Sequence, residues 1–570
     1  MSMIEACDYL ILGGGSSGCV LAARLSEDPT RKVVLVEAGP DISEADVPAD
    51  IASSYPGRAF LNPHFIWPQL TGLMGLGSRN AEPKRIPRRY EQARVMGGGS
   101  AINAMAANRG APSDYDEWAA LGLSGWSWEE VLPFFRKIES DRDFDGPLHG
   151  KTGPLPVRRA KVKDRTPFIA AACEVLQRQG HAVREDQNGV WEDGIFPVAI
   201  ASADDGGRVP VSLAFLTREV RARPNLIILS QSSAQRLVLK DKRVTGAQIA
   251  TPAGLQLIDA RETIVTCGAI HTPALLMRSG IGPSVDLARA GVQTLVASPG
   301  VGRNLMEHPS LALSAFLKPH ARLHEATRHQ IQACLRFSSQ LGDCPQGDMH
   351  MAIVAKSAWH HVGQRLATLF VWVNKPYSRG QVSLRSHDPS AEPDVDFRLL
   401  SDERDRQRLA DGIRLAAKVF ADSSMRAVTG HAFPAAFSDR VRKISTPSPM
   451  NAFQTALFGI MLDLAGPLRN RLIHDVITRG VTLDALLADE RMMDSFLTQA
   501  AGGVWHASGT CRMGPMSDPL SVCDSAGRVL GVEGLRIADA SIMPTIPCAN
   551  TNMPTIMIAE RISDLIARGA

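Results

Sequence analysis

No apolar run in this chain approaches the ~20 residues a helix needs to cross a bilayer. The longest, such as Tyr9–Leu12 and Val33–Val36, are strand-sized, so no membrane span is expected. Charge of one sign is equally scarce. The chain has 62 Lys+Arg against 59 Asp+Glu, a formal net charge of +3, so nucleic acid, which needs a concentrated basic face, is not expected as a partner. The nine cysteines are scattered, odd in number and form no CxxC pair. That argues against a zinc site or a disulfide framework and makes a reducing cytoplasm the expected home. The fifteen histidines contain no HExxH spacing, so no metal is expected. The adjacent pair His360–His361 reads as surface loop. The opening MSMIEACDYLILGGG has an early acid and no basic region, so no secretory signal is expected.

A composition 44% hydrophobic and 21% charged is that of a folded globular chain rather than a disordered one. With 570 residues it has length for three or four domain-sized units, or for one interwoven two-domain enzyme. No internal repeat or low-complexity linker divides it. No heptad or exposed strand stands out to fix an oligomeric state.

The first forty residues carry chemistry. Tyr9–Leu12 is too short for a helix and leads into Gly13-Gly14-Gly15-Ser16-Ser17-Gly18, which predicts a buried strand, a tight turn and a helix over Ser17–Leu25. Gly13, Gly15 and Gly18 match GxGxxG. They would form the turn, leave room for a pyrophosphate and let the helix pack close to the strand. The helix start, with Ser16 and Ser17, would offer free N–H groups to phosphate. A second strand, Lys32–Val36, ends at Glu37, 24 residues after Gly13. A carboxylate there can accept both ribose hydroxyls of an adenosine and would repel a 2′-phosphate. This pattern predicts a dinucleotide site and leaves NAD and FAD both open.

Three further stretches narrow the choice. ARVMGGGSAINAMAANRGAPSDYDE spans Ala93–Glu117, and GAIHTPALLMRSGIG spans Gly268–Gly282 and looks like a strand end, a Pro-started helix and a glycine stop. The third stretch is WHASGTCRMG at Trp505–Gly514, followed from Leu535 by LRIADASIMPTIPCANTNMPTIMIAERISDLI. Together with the opening unit these resemble the glucose–methanol–choline (GMC) family of FAD-dependent oxidoreductases, from about Tyr9 to Leu565. Met96 departs from the family pattern, where a smaller branched aliphatic is usual.

The resemblance implies FAD, and an α/β fold. A Rossmann-like FAD-binding domain would be assembled from residues 1–155, 206–310 and 500–570. An α+β substrate domain built on an antiparallel sheet would take 156–205 and 311–499. Within it VSLRS and DVDFRLL read as strands, and RDRQRLADGIRLAAKVFA and TLDALLADERMMDSFLTQA as amphipathic helices. The resemblance also implies that His506 is the general base. Asn550, at a family position held by histidine or asparagine, would be the hydrogen-bond donor to the developing alkoxide. An amide can donate and accept but cannot serve as a second base. Trp505 would wall the pocket. Trp67, Val95, Gly98, Ser100, Asn103, Ala104, Ala234, Asp539, Ala540 and Thr551 would contact the cofactor, with Asn552 as a turn residue or flavin contact. Some members bind FAD covalently through a histidine two residues after the serine of the glycine cluster. Here that position is Ile102, so non-covalent FAD is expected.

The expected reaction is oxidation of an aromatic, furanic or aliphatic primary alcohol to the aldehyde. A base removes the hydroxyl proton, and a hydride passes to flavin N5. O2, slightly favoured, or a quinone or carrier protein would take the electrons. A hydroxynitrile lyase-like activity and fatty-acid photodecarboxylation are the alternatives the family allows.

Overall fold

Parallel strands are covered on both faces and therefore read as continuous apolar runs. Strand β2 (Val33–Val36), VVLV, is buried at all four positions. In this computed structural model, which describes residues 6–75, 86–323, 329–478 and 481–569, β2 lies in a seven-stranded sheet beside β1 (Ala6–Leu12). The parallel core of that sheet runs 254–265, β1, β2, 226–229, and strand 535–537 also pairs in parallel with 254–265. Strands 243–251 and 233–240 extend it as an antiparallel meander.

Helix α1 (Ser16–Leu25) follows β1 through the glycine turn. Gly13 has φ +112°, in the region that favours glycine. A Cβ on Gly18 would lie 1.9 Å from the Gly13 carbonyl oxygen, so only glycine lets this helix sit so close to the strand. The helix starts at Ser16, one residue earlier than the pattern predicts.

The second large sheet has six strands in the order 429–435, 310–317, 366–373, 349–354, 331–337, 194–197, all antiparallel. Side chains alternate across a strand, and here the alternation separates two jobs. Ala312, Ser314, His350, Ala352, Val354, Thr368, Phe370 and Trp372 face a cavity. Their neighbours Leu311, Leu313, Met349, Met351, Leu369 and Val371 are buried. Helix Glu403–Ala421 backs that second face, and a Cβ on its Gly412 would lie 2.5 Å from Val371.

Two small sheets tie the large ones together. One joins 71–75 and 88–89 to 381–383 and 394–399; the other joins 139–141, 155–159 and 199–201. VSLRS and DVDFRLL thus supply strands, but to the first small sheet, where 394–399 runs parallel to 71–75. TLDALLADERMMDSFLTQA forms two helices, Leu483–Ala488 and Glu490–Ala500, because the Asp489 side chain between them caps the second.

The 268–282 segment differs from the Pro-started helix its sequence suggests. Helix α2 (Gly268–Arg278) begins at Gly268 and keeps Pro273 inside. An internal proline cannot donate to the carbonyl four residues back, which here is Ala269. The Thr510 hydroxyl donates to that oxygen instead, at 2.6 Å. Asp539 holds the start of the helix, accepting from the Gly268 N–H and the Thr272 hydroxyl at 2.8 and 2.6 Å. His360, expected on the surface, is buried under the 439–445 helix, with its ring 3.1 Å from Ser445 Oγ; His361 is exposed.

Thr510→Val keeps the shape and removes the donor, leaving a buried carbonyl unsatisfied. It is expected to cost about 1–3 kcal/mol, checked by urea unfolding.

Candidate active site

A continuous cavity of about 1230 Å³ is lined by residues of both large sheets. Ordinary ligand pockets hold ~300–1,000 Å³, so this one has room for a dinucleotide with a substrate beside it. At its first end the bare backbones of two glycine clusters face each other. A Cβ on Gly98 would lie 2.7 Å from Gly15 Cα, and one on Gly99 would meet nothing within 4 Å. Helix α1 has no side-chain cap and no acid in its first turn. The helix α3 (Pro449–Leu464) borders another part of the cavity through Thr455 and Phe458. The last helix, α4 (Asn552–Ala567), is also uncapped at Thr551, which lines the cavity. Two free helix N-termini and a strip without side chains fit a diphosphate and an electron-accepting ring. Asn552 accepts a hydrogen bond from Ser16 Oγ at 2.7 Å and so fixes the two helix starts to each other.

Of the sequence-predicted residues, Gly13, Gly15, Ser16, Ser17, Glu37, Trp67, Gly98, Asn103, Ala104, Ala234, Asp539, Ala540 and Thr551 line this cavity. So do Trp505, His506, Asn550 and Ile102. Gly18, Val95 and Ser100 do not. Gly18 is packed against Gly13, and Val95 is fully buried. The Ser100 hydroxyl is consumed by the protein, donating to Gly97 O and accepting from Val211 N. Glu37 is buried and holds the glycine turn, accepting from the Gly14 and Gly39 N–H groups at 2.8 and 2.7 Å. Only the lone pairs left over can face a ribose. Trp67 packs on His271, with ring centroids 4.5 Å apart, and lies under Arg94.

At the far end His506 Nε2 lies 3.1 Å from Asn550 Nδ2. His506 Nδ1 lies 2.8 Å from His308 Nδ1. Two ring nitrogens at that distance share one proton, so the tautomers are coupled. An amide nitrogen can only donate, which leaves His506 Nε2 as an acceptor. His506 must then carry its proton on Nδ1 and give it to His308 Nδ1. That puts the His308 proton on Nε2, a buried atom that has no hydrogen-bond partner among the described residues. Burial holds both rings neutral, pushing His506 down to about 3 and His308 well below the ordinary 6.5.

Glu307 sets this geometry. Its carboxylate accepts from the Tyr90 hydroxyl at 2.6 Å and from the backbone N–H groups of His308, Val504 and His506 at 2.8–3.2 Å. Burial raises its carboxyl to about 7 against those four donors. Gly503 has to be glycine, since a Cβ there would lie 2.6 Å from the Glu307 side chain. Trp505, between Val504 and His506, adopts φ +61°, a strained value for a bulky residue. Its indole donates to Glu91 at 2.9 Å, and its rings pack against Phe60 and Phe437.

Four residues of the site carry no motif in the sequence: Glu307 and His308, buried behind His506, and His350 and Trp372, which line the cavity. The imidazole of His350 stacks on Trp372 with centroids 4.1 Å apart, and burial lowers it to about 3. The only signal for the first two is an acid and a histidine side by side amid apolar residues.

Among the described residues one cluster has metal-like spacing, Glu139, Asp141 and His149. Arg109 pairs with Glu139, Arg159 with Asp141, and His149 also meets Asp186. Burial opposes the charge on His149, but the carboxylates outweigh it and raise it to about 10. Three carboxylates then meet three cations, which is an ion-pair network.

The GMC oxidoreductase family profiles match residues 7–310 and 376–559. The chain is 40% identical over 569 residues to a 5-(hydroxymethyl)furfural oxidase of Methylovorus sp. (strain MP688), covering 98% of each. It is 32% identical to a glucose dehydrogenase [FAD, quinone] of Drosophila pseudoobscura pseudoobscura, covering 98% of this chain and 87% of that one. The crystal structure of pyridoxine 4-oxidase from Mesorbium loti superposes with a TM-score of 0.80 at 26% identity, covering 99% of each.

Glu307→Gln would set an amide against one of four donors. It is expected to slow alcohol turnover about 100-fold, the scale of a 1 Å misplacement, while FAD content is unchanged. Stopped-flow reduction and the flavin spectrum check this together.

Proposed function

This chain belongs to the GMC oxidoreductase family and performs FAD-dependent oxidation of alcohols; from that premise we propose how its residues divide the work. FAD supplies the hydride acceptor when bound. His506 Nε2, kept unprotonated, takes the hydroxyl proton of the substrate. Asn550 Nδ2 donates to the oxygen as negative charge grows on it. His308 fixes the His506 tautomer, and Glu307 fixes the backbone that carries the ring. Trp505 and Phe437 wall the pocket. The observation that carries this reading is the 3.1 Å pairing of His506 Nε2 with Asn550 Nδ2 at the cavity.

The substrate is a primary alcohol on a flat ring, furanic or aromatic. Phe60, Phe370, Phe437, Trp372 and Trp505 supply aromatic walls, and the furfural oxidase relative points the same way. The relatives support alcohol oxidation over the lyase and photodecarboxylase readings. We take O2 as the acceptor, following the oxidase relative, with a quinone as the second choice. Position 102 offers isoleucine to the cavity, which supports non-covalent FAD. The division at 1–155, 206–310 and 500–570 against 156–205 and 311–499 fits the strand content of the two large sheets. Among the described residues no helix is long and apolar enough to cross a membrane, and all nine cysteines are free; a cytoplasmic setting suits both.

His506→Ala is expected to slow flavin reduction by about 10²–10⁴-fold, and Asn550→Ala by about 10²–10³-fold, both with FAD retained. Anaerobic mixing with 5-(hydroxymethyl)furfural or benzyl alcohol should bleach the wild-type flavin, and oxygen uptake identifies the acceptor. A His506→Ala variant that reduces at the wild-type rate overturns the assignment.

A base acts only while unprotonated, and for His506 that form is complete above about 3 and lost as pH falls through it. His506 therefore adds no loss of kcat/KM between pH 8 and 5. The fall expected through about 7 belongs to the Glu307 carboxyl, which loses an acceptor when protonated. In Glu307→Gln, which lacks that titration, the remaining kcat/KM should stay flat from pH 8 to 5. A histidine of ordinary pKa would lose about 30-fold at pH 5, so the pH profile separates the two.

A further inference from the structure

A helix that is apolar around its whole circumference is normally buried on all sides. Helix α3 is apolar over most of its circumference, Asn451, Gln454, Thr455 and Asp463 being its polar side chains, and buries only one side. Thr455, Gly459 and Leu462 are buried against the protein. On the opposite side Met450, Phe453, Leu457, Ile460, Met461 and Leu464 are 44–82% exposed. At 3.6 residues per turn these six fall within one arc of about 100°. The one charged residue of the helix, Asp463, turns away to pair with Arg322 and Arg365. Leu468, 64% exposed, extends the strip beyond the helix end.

Cations stand at both ends of this strip. Arg440 and Lys443 precede it, and Arg471 follows; all three are exposed. The Lys443 carbonyl accepts from Asn451 Nδ2 at 2.8 Å, which places that residue at the start of α3. Among the described residues Arg440 bonds only the Val476 carbonyl and Lys443 has no carboxylate partner. From 440 to 478 the chain has five Arg or Lys against two Asp, and both carboxylates lie near arginines.

We propose that this face of α3 docks onto an anionic lipid surface, apolar side chains in the acyl boundary and the three cations among the headgroups. An apolar helix face flanked by Lys and Arg is the pattern of helices that lie in a membrane interface. A second copy of the chain is the other candidate for covering the strip. A two-fold contact would oppose each cationic end with cations or with nothing of opposite sign, whereas anionic headgroups match them. The inner side of α3 presents Thr455 and Phe458 to the catalytic cavity. Docking therefore sets that cavity beside the lipid, where an apolar alcohol concentrates.

The test is cosedimentation of the FAD-loaded enzyme with vesicles of phosphatidylcholine, alone or mixed with phosphatidylglycerol. The wild type should bind the mixed vesicles and bind the neutral ones at least about tenfold more weakly. The combined change Phe453→Ser, Leu457→Ser and Leu464→Ser should abolish binding while the flavin spectrum and melting temperature stay as in wild type. Lys443→Glu with Arg471→Glu should weaken binding about 30-fold or more, from ~1 kcal/mol for each basic residue lost. A wild type that stays in the supernatant with mixed vesicles overturns the proposal. So does binding that survives both variants, or a micromolar dimer that the serine variant dissociates without any vesicle binding.

Discussion

The buried carboxylate of Glu307 is the point on which the catalytic geometry depends. It gathers four donors from three separate parts of the chain: Tyr90, its own neighbour His308, and the 504–506 loop. Each donor alone is an ordinary hydrogen bond. Together they fix the backbone on either side of Trp505 and tolerate its unfavourable φ. The same carboxylate holds the backbone N–H groups of both His308 and His506, whose rings meet at 2.8 Å. The single protonation pattern follows from that contact.

The cofactor end is coupled to the same loop. Thr510, four residues after His506, satisfies the carbonyl that Pro273 leaves open in α2. Asp539 caps the start of that helix and lines the cavity. Glycine turn, proline helix and histidine loop are thus three surfaces of one packed unit, though they lie hundreds of residues apart. The two small sheets add main-chain ladders between the regions that carry cofactor and pocket.

Much of this was legible beforehand because it is local. The βαβ unit shows itself through strand-length apolar runs and glycine spacing, and His506 through its motif. What stayed hidden was nonlocal. Glu37 reads as a ribose acceptor, and the structure adds to that reading two backbone N–H groups, of Gly14 and Gly39, that each take one of its oxygens; nothing in the sequence reveals a neighbour's unpaired amide. The Ser100 hydroxyl is likewise engaged by Gly97 and Val211, which the sequence does not show. The role of Pro273 could not be read without Thr510, because a proline in a helix looks like a start until its lost hydrogen bond is seen to be replaced. Glu307 and His308 sit on no recognisable turn, and His350 is one residue in an ordinary strand. Their importance comes from where distant strands bring them. The 394–399 strand misled for a related reason, since a run of residues predicts a strand but not its partner.

The alternation along the six-stranded sheet has a practical meaning for anyone redesigning this enzyme. One face is a palette and the other a foundation. Ala352, Val354, Thr368 and Phe370 form a patch that can be randomised together to admit new alcohols. Met351, Leu369 and Val371, interleaved with them, anchor the same strands to the helix behind and are best left alone. Selectivity and foldedness are thus written on alternate letters of the same short words, which makes this barrier-free wall a natural place to begin a mutant library.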